Sequence, residues 1–287
     1  MTAEPPLKSP RRYVKAVALH DGAMVQLRPD HPALTEATTV YRASAVNAAD
    51  APRLLVDGIN QRKIGGRVTK GPWRSFPIFT LTLEERATCP ATCHHWRDCM
   101  GNNMPFARRV RIDRLFVVRL ATELARKNKL NPRGFAVRLH VLGDFYSVGY
   151  VEQWGRWLDI FPALHVFGFT AWQPGSEIGD AVRALTEARW DRFAVRLSSV
   201  TPGRDRANTA PSDDAARGLG IICPAQQNKT DCCGTCGLCW APAAREKTIV
   251  FIGHGRRPRG KARGQRSSWF YTPAPTQARP PVKARGG

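Results

Sequence analysis

The sequence predicts an α/β protein built on a parallel sheet and folded as a partial or irregular (β/α) barrel with Cys-rich loops. Strand-like apolar runs alternate with amphipathic helical runs, polar residues follow the strand ends, and the eight cysteines fall into two groups. A β-α-β-α order favours parallel strands joined by right-handed crossovers. About six strands and three helices fall short of a complete eight-fold barrel.

The first strand is predicted at residues 77–83, where β-branched and apolar residues dominate. An amphipathic helix follows over residues 108–127, and Asn131-Pro132 ends it. Ser147 is the expected N-cap of the next helix, and a third helix surrounds Val182. The remaining strands are predicted at residues 135–142, 164–169, 192–197, 219–222 and 248–252.

Composition divides the chain into three parts. Residues 1–70 form a partly irregular N-terminal segment, and residues 71–254 form the barrel-like domain, which includes the Cys-rich segment 222–240. Residues 255–287 are rich in Pro, Gly and Arg, so we expect a disordered basic tail.

The net charge of +21 points to an anionic partner. Nine Lys and Arg lie in the tail, which has no acidic residue, and this leaves +12 on the rest of the chain. The basic surface and tail therefore predict DNA or RNA as a partner, through phosphate contacts without sequence preference. A tail that only keeps the protein in solution is the alternative.

The chain shows no apolar run long enough for a transmembrane helix and no apolar core of a secretory signal near Met1. We therefore expect a cytoplasmic protein with no membrane partner; the oligomeric state has no signature in the sequence. Thiols stay reduced in the cytoplasm, so the cysteines point to metal or redox chemistry rather than to disulfides.

The first cysteine group follows the first strand. Cys89, Cys93 and Cys99 form a C-x3-C-x5-C pattern, and three thiolates on one loop can hold three corners of a [4Fe–4S] iron–sulfur cluster with the fourth iron open. The same thiols with His94 or His95 could instead bind zinc. Simple burial of apolar thiols is the third reading.

The second group contains five cysteines. Cys223, Cys233, Cys236 and Cys239 make a four-thiolate set, which suits tetrahedral zinc or a cubane cluster. Cys232 is predicted to be the spare thiol, because adjacent cysteines rarely bind the same metal. A redox dithiol is the alternative.

Polar residues follow the other predicted strands. Chemistry gathers at the carboxyl ends of parallel strands, so these residues are expected to face one site. His140 and Asp144 are the candidates for proton transfer. The candidates for cofactor binding are Gly143, Asp144, Thr170, Arg196 and Ser198.

The order of these motifs resembles the phage "gene product 88" family. The resemblance rests on TCPATC, RLHVLGDFYSVGYVEQW, FGFTAW, CCGTCGLCW and IVFIGHG, and it covers about residues 60–255. It implies a phage or prophage protein with two Cys-rich segments, and it brings no established activity.

A more distant likeness is to radical SAM enzymes, which are similar in having a three-Cys loop after the first strand of a parallel barrel. That likeness implies S-adenosylmethionine as a cofactor, with Gly143 and Asp144 at the place of the motif that contacts it. The loop spacing of that superfamily is C-x3-C-x2-C, and here it is C-x3-C-x5-C.

Together these features predict a radical-SAM-like iron–sulfur enzyme that acts on nucleic acid. The alternative is a zinc-stabilised nucleic-acid-binding protein without catalysis.

Overall fold

The computed structural model describes residues 25–253. The first 24 residues, His254 and the predicted tail at 255–287 lie outside the described residues.

The described residues form ten strands and six α-helices. The strands are β1 (Ala45–Asn47), β2 (Val56–Asp57), β3 (Ile78–Thr80), β4 (Arg109–Arg111), β5 (Phe135–Leu139), β6 (Leu164–Thr170), β7 (Phe193–Ser198), β8 (Arg206–Ala210), β9 (Ile221–Ile222) and β10 (Ile249–Ile252). The helices are α1 (Pro32–Thr35), α2 (Phe116–Leu130), α3 (Val148–Ile160), α4 (Glu177–Arg189), α5 (Asp213–Ala216) and α6 (Cys233–Cys236).

The main sheet has eight strands in the order β2-β3-β5-β6-β7-β8-β10-β9, and β1 pairs with β4 separately. Every neighbouring pair from β3 to β9 is parallel, and β2 alone runs antiparallel to its neighbour. This confirms a mixed α/β protein with a mostly parallel sheet. The carboxyl ends of these strands lie on one edge, called the carboxyl edge below. Closure into a barrel stays a prediction.

The two faces of the sheet are covered differently. Side chains alternate between faces along a strand, so Phe135 and Val137 pack with α2, α3 and α4 in the larger core cluster. Ala136 lies on the opposite face. That face is covered by residues 64–76 and 233–240, called the covering layer below, which contributes Ile64, Val68, Trp73, Phe76, Cys233, Cys239 and Trp240 to the smaller core cluster.

The prediction of a helix from residue 108 is wrong at its start. Arg109–Arg111 forms β4, and the helix begins at Phe116. The reason is tertiary: Val110 donates its amide to the Thr82 carbonyl (3.0 Å), and the Arg109 side chain is fully buried in an ion pair. Strand β8 was not predicted either, because its sequence RANTA lacks an apolar alternation.

Other local predictions are confirmed. Ser147 caps α3 by accepting a hydrogen bond from the Tyr150 amide (3.2 Å), and α2 ends at Asn131. Among the described residues no helix is long and apolar enough to cross a membrane.

Candidate metal centres

The loop that carries the first three cysteines begins at the carboxyl edge. Beyond β3 the chain continues beside β5, with the Leu83 amide donating to the Leu142 carbonyl (3.0 Å). Thr88 then donates to the Glu84 carbonyl (2.9 Å) and accepts from the Asp144 amide (3.0 Å). The loop is thus attached to the end of β5 one residue before Cys89.

The thiols of Cys89, Cys93 and Cys99 lie close enough to interact electrostatically. Burial raises the pKa of Cys93 to about 12 and that of Cys99 to about 11, and it raises the pKa of Cys89 well above its ordinary value. The Asp144 carboxylate adds to the rise at Cys89 and Cys93, and Glu85 adds to it at Cys99. Metal binding here would have to displace a proton from each thiol.

A buried ion pair that the sequence did not reveal supports this loop. Arg109 Nε donates to Glu85 Oε2 (2.7 Å), and both side chains have no solvent exposure. Arg109 also donates to the Gly101 carbonyl (3.0 Å), and Arg86 donates to Asn102 Oδ1 (2.7 Å). The loop after Cys99 is therefore held by charged side chains inside the protein.

The two histidines of the loop differ. His95 is engaged on both ring nitrogens, at 3.0 Å from Asp98 Oδ1 and 3.1 Å from Thr209 Oγ1, which ties the loop to β8. Burial lowers the pKa of His94 to about 4, so its ring is neutral near pH 7. His94 is thus the better suited of the two as a nitrogen ligand.

Asp144 joins the ends of two strands. Its Oδ1 accepts from the Phe145 amide (2.8 Å) and its Oδ2 from the Ala171 amide (2.7 Å). Burial raises its pKa to about 7, against the hydrogen bonds from these amides and the Thr170 hydroxyl. Asp144 and Thr170, both predicted as site residues, are therefore in contact at the carboxyl ends of β5 and β6.

Gly143 packs against the first loop. A Cβ at this position would lie 2.6 Å from Leu83 Cβ and 2.7 Å from Thr88 Oγ1, and its φ is +82°. The close approach of the loop therefore explains why position 143 requires a glycine. Cofactor binding by Gly143 stays a prediction.

His140 is buried beside aromatic rings. Its Nε2 lies 3.2 Å from Tyr150 Oη, and Nδ1 has no hydrogen-bond partner among the described residues. Burial, with the nearby Arg138, lowers its pKa to about 3. The ring is therefore neutral at physiological pH, with one nitrogen unpaired.

Arg196 is fully buried and donates to backbone carbonyls. Its nitrogens reach Cys239 O (2.8 Å), Ala244 O (2.9 Å) and Lys247 O (2.9 Å). These contacts give Arg196 a role in holding the second cysteine segment, and cofactor binding by it stays a prediction. Ser198, also predicted, accepts from Gln173 Nε2 at its carbonyl (3.0 Å).

Backbone hydrogen bonds attach the second cysteine segment to residues 63–69. The Cys233 amide donates to the Lys63 carbonyl (2.8 Å) and the Gly234 amide to the Ile64 carbonyl (2.9 Å). The Thr69 amide donates in return to the Gly234 carbonyl (3.0 Å). Residues 63–69, in which the sequence showed no motif, thus pair with the segment.

Aromatic rings pack around this segment. Trp240 stacks on Trp73, with ring centroids 5.2 Å apart and planes at 6°, and it lies 4.5 Å from the Phe167 ring. Cys233 and Cys239 pack against the same cluster. The second segment therefore lies on the sheet face away from the helices.

All five thiols in this segment take part in electrostatic interactions, and Cys232 acts on Cys233. Cys223 interacts with Cys236, and Cys233 and Cys239 interact with each other and with Cys223. Cys232 is placed differently: its amide donates to Thr235 Oγ1 (3.0 Å) at the start of α6. The choice of Cys232 as the spare thiol stays a prediction.

The side chain of Gln226, which lies between Cys223 and Cys232, hydrogen-bonds to the backbone of β10 as a neighbouring strand would. Its side-chain amide donates to the Ile252 carbonyl (2.8 Å) and accepts from the Ile252 amide (2.9 Å). This contact fixes the chain soon after Cys223. In the sequence, the signal for this contact is the pair Gln226-Gln227 after a short apolar run, which does not by itself predict a backbone contact.

Within residues 25–253 no three His, Cys, Asp or Glu side chains form a group that could hold a metal ion. A tetrahedral zinc site requires four donors at about 2.0–2.3 Å from one point. An iron–sulfur cluster takes its thiolates on different iron atoms, so its ligands need not meet at one point. Binding of an iron–sulfur cluster by either group of thiols stays a prediction.

Comparisons of the chain with protein-family models, curated proteins and solved structures gave no match in any of the three.

Proposed function

We propose that this protein is an iron–sulfur enzyme with two thiolate-bound centres. The observation that supports the proposal is the attachment of the loop that carries Cys89, Cys93 and Cys99 to the carboxyl end of β5, where the Asp144 amide donates to Thr88. Three protein thiolates leave one iron of a [4Fe–4S] cluster open to a small ligand. The second centre, at Cys223, Cys233, Cys236 and Cys239, has four thiolates and is closed.

The protein's own residues have definite parts in this proposal. Thr88 and Asp144 hold the first loop against the ends of β5 and β6, and Glu85 with Arg109 supports its far side. When bound, such a cluster supplies one-electron chemistry to its open-site ligand. Support for S-adenosylmethionine as that ligand comes from the family likeness.

Metal analysis of the full chain tests the proposal. We expect anaerobically purified protein to contain iron and sulfide and to absorb visible light. Cys93→Ala should remove the iron of the first centre, Cys239→Ala that of the second, and the matched control Cys232→Ala should remove neither. A colourless protein with about two zinc ions per chain and no iron, as tetrahedral zinc sites at the two groups would give, would contradict it.

A second candidate function is nucleic-acid binding by a zinc-stabilised protein, and one feature favours a phosphate partner. A cavity of about 230 Å³ at the start of β3 and β5 is lined by Arg67, Arg74 and Arg133, and no acidic residue lines it. Guanidinium groups bind phosphate oxygens in bidentate fashion.

Salt-dependent binding of a DNA or RNA duplex tests this candidate. Arg74→Gln with Arg133→Gln should weaken binding of all sequences alike and reduce the salt dependence. The control is Arg156→Gln on α3, where the arginine contacts Gln153. Equal affinity of the double variant and the unchanged chain would contradict a role for this cavity.

A further inference from the structure

The loop over residues 100–107, called the exposed loop below, presents large apolar side chains to solvent. Phe106 is 98% exposed and Met100 is 49% exposed. A backbone turn holds the tip of this loop, with the Ala107 amide donating to the Met104 carbonyl (3.2 Å). Aromatic side chains contribute much of the energy of contact surfaces. A fully exposed ring on a loop that is fixed by a turn therefore marks a surface that another segment can cover.

The start of the described chain lies against the same loop. The Asn102 side chain donates to the Val25 carbonyl (2.8 Å). The Leu27 amide donates to the Arg97 carbonyl (2.9 Å), and Arg97 Nε donates in return to the Leu27 carbonyl (3.1 Å). Residues 1–24 therefore join the described chain directly beside the exposed loop.

An unsatisfied polar group lies at the same place. The side-chain nitrogen of Asn103 is buried and has no hydrogen-bond partner among the described residues. Its neighbour Asn102 uses the equivalent nitrogen to bind the Val25 carbonyl. Because a buried donor without an acceptor is destabilising, Asn103 calls for a carbonyl, and the chain that precedes Val25 would supply one.

Residues 13–19 have the composition and the reach to cover the exposed loop. They read YVKAVAL, which is six apolar residues and one lysine. Leu19 is six residues from Val25, so the two lie within about 21 Å of each other. Phe106 is four residues from Asn102, which limits that separation to about 14 Å. The apolar segment is therefore long enough to meet the ring.

The chain after Gly253 is less suited to this place. Residues 254–268 contain six Lys and Arg and no large apolar side chain, and Trp269 is the first such residue. Exposed Arg97 and Arg108 flank the exposed loop. Like charges repel, so the N-terminal segment fits this surface better than the basic tail.

We propose that residues 13–19 pack over the exposed loop of the same chain, with Leu19 against the Phe106 ring. The residues that follow supply the carbonyl that Asn103 lacks. The N-terminal segment then covers the end of the first cysteine loop, because the exposed loop directly follows Cys99. This inference goes beyond the proposed function, since it requires neither centre to be occupied.

A photo-crosslink within the full chain tests the contact. With p-benzoylphenylalanine in place of Phe106, irradiation should join position 106 to residues 13–19. A mixture of chains with and without nitrogen-15 separates crosslinks within one chain from those between two copies. Val17→Ser with Leu19→Ser should remove most of the product, because the apolar contact is lost.

The matched control carries the same photoreactive group in place of Ile160. This residue is 63% exposed at the end of α3, and helix α3 returns to the edge of the sheet opposite the carboxyl edge, where β6 begins. Irradiation of the control should not join position 160 to residues 13–19.

Trypsin cleavage after Lys15 is a second measurement that needs no unnatural residue. Phe106→Ser should speed this cleavage by about 10-fold or more, the order of change expected in a local opening equilibrium when a buried aromatic contact is lost. Ile160→Ser should leave the rate unchanged. Both substitutions are at exposed positions, so both chains are expected to fold.

The outcomes decide the inference by themselves. It is overturned by crosslinks from position 106 that run mainly between copies, by crosslinks to residues 254–287, or by the absence of any crosslink to residues 13–19. Equal cleavage rates for Phe106→Ser and the unchanged chain overturn it as well. Failure here leaves the proposed function standing, because neither measurement depends on metal content.

Discussion

The two cysteine segments are held in different ways. The first loop depends on buried charged side chains, above all Glu85 with Arg109, both fully buried. The second depends on backbone hydrogen bonds to residues 63–69 and on stacking of Trp73 with Trp240. The first loop is thus a polar assembly at the carboxyl edge, and the second is part of the apolar packing of a sheet face.

The charges around the thiols differ as well. Burial raises the pKa of thiols in both segments; Asp144 adds to the rise at Cys89 in the first loop, whereas Arg138 opposes it at Cys233 in the second segment. An anionic centre is therefore better compensated in the second segment. We expect the second centre to be the more firmly bound, and the first to be the more easily lost and the more reactive.

Replacing a thiol of the second segment should have the largest effect. Cys239→Ser should lower the free energy of unfolding by about 4 kcal/mol or more, because it removes a metal centre and breaks packing under Trp240. Cys93→Ser should have a smaller effect on stability, and Cys232→Ser the smallest. Denaturant unfolding of the anaerobic protein measures the three values. Equal values for Cys239 and Cys93 would remove the contrast between the segments.

Breaking the buried ion pair should have the next largest effect. Glu85→Ala leaves the Arg109 charge buried and unpaired, which destabilises proteins by about 3–5 kcal/mol. Its metal content should fall at the first centre only. Glu36→Ala is the control, since Glu36 pairs with Arg42 at an exposed site, where a change below about 1 kcal/mol is expected. Loss of both centres in Glu85→Ala would show that the two segments are coupled.

Two glycines with the same φ of +82° permit a direct comparison of the segments. Gly143→Ala should lower the free energy of unfolding by roughly 3 kcal/mol, because the new Cβ meets Leu83 Cβ at 2.6 Å and the backbone is strained. Gly65→Ala should have a smaller effect, since it meets the Cys232 thiol, which can rotate. Thermal unfolding of both variants measures this.

Gly175→Ala isolates the strain of the backbone. Its φ is +87°, and no atom lies within 4 Å of the added Cβ. We expect a loss of about 1 kcal/mol from strain alone. A loss at Gly143 no larger than this would refute the close approach of the first loop to β5.

A further effect concerns pH and His140, which directly follows β5. The pKa of His140 is lowered to about 3 in the folded protein, so an unfolded chain binds a proton there below pH of about 6.5 and the folded chain does not. The free energy of unfolding should therefore fall by about 1.4 kcal/mol for each pH unit between about 6.5 and 3.

His140→Gln should remove that slope, because the amide keeps a partner for Tyr150 and does not titrate. Unfolding measured at pH values from 4 to about 7 compares the two proteins. An identical slope in the variant would place the acid sensitivity elsewhere in the molecule.

Much of the fold followed from local patterns. The strands β3, β5, β6, β7, β9 and β10, the cap at Ser147 and the helix end at Asn131 were predicted because period, caps and Pro act through near neighbours in the chain. The start of α2 and the strand β8 were missed. Both depend on partners distant in sequence, such as Glu85 for Arg109.

The amino-acid sequence by itself determined the mostly parallel α/β order, the two cysteine groups and the position of the first group after a strand, because all three are local patterns. The tertiary structure alone decided which charges meet those thiols. Asp144 and Glu85 act on the first group together with Arg86 and Arg109, while Lys63, Arg138 and Arg196 act on the second from three distant elements. The physical reason is that burial and charge pairing depend on contacts across the fold, which spacing along the chain does not encode.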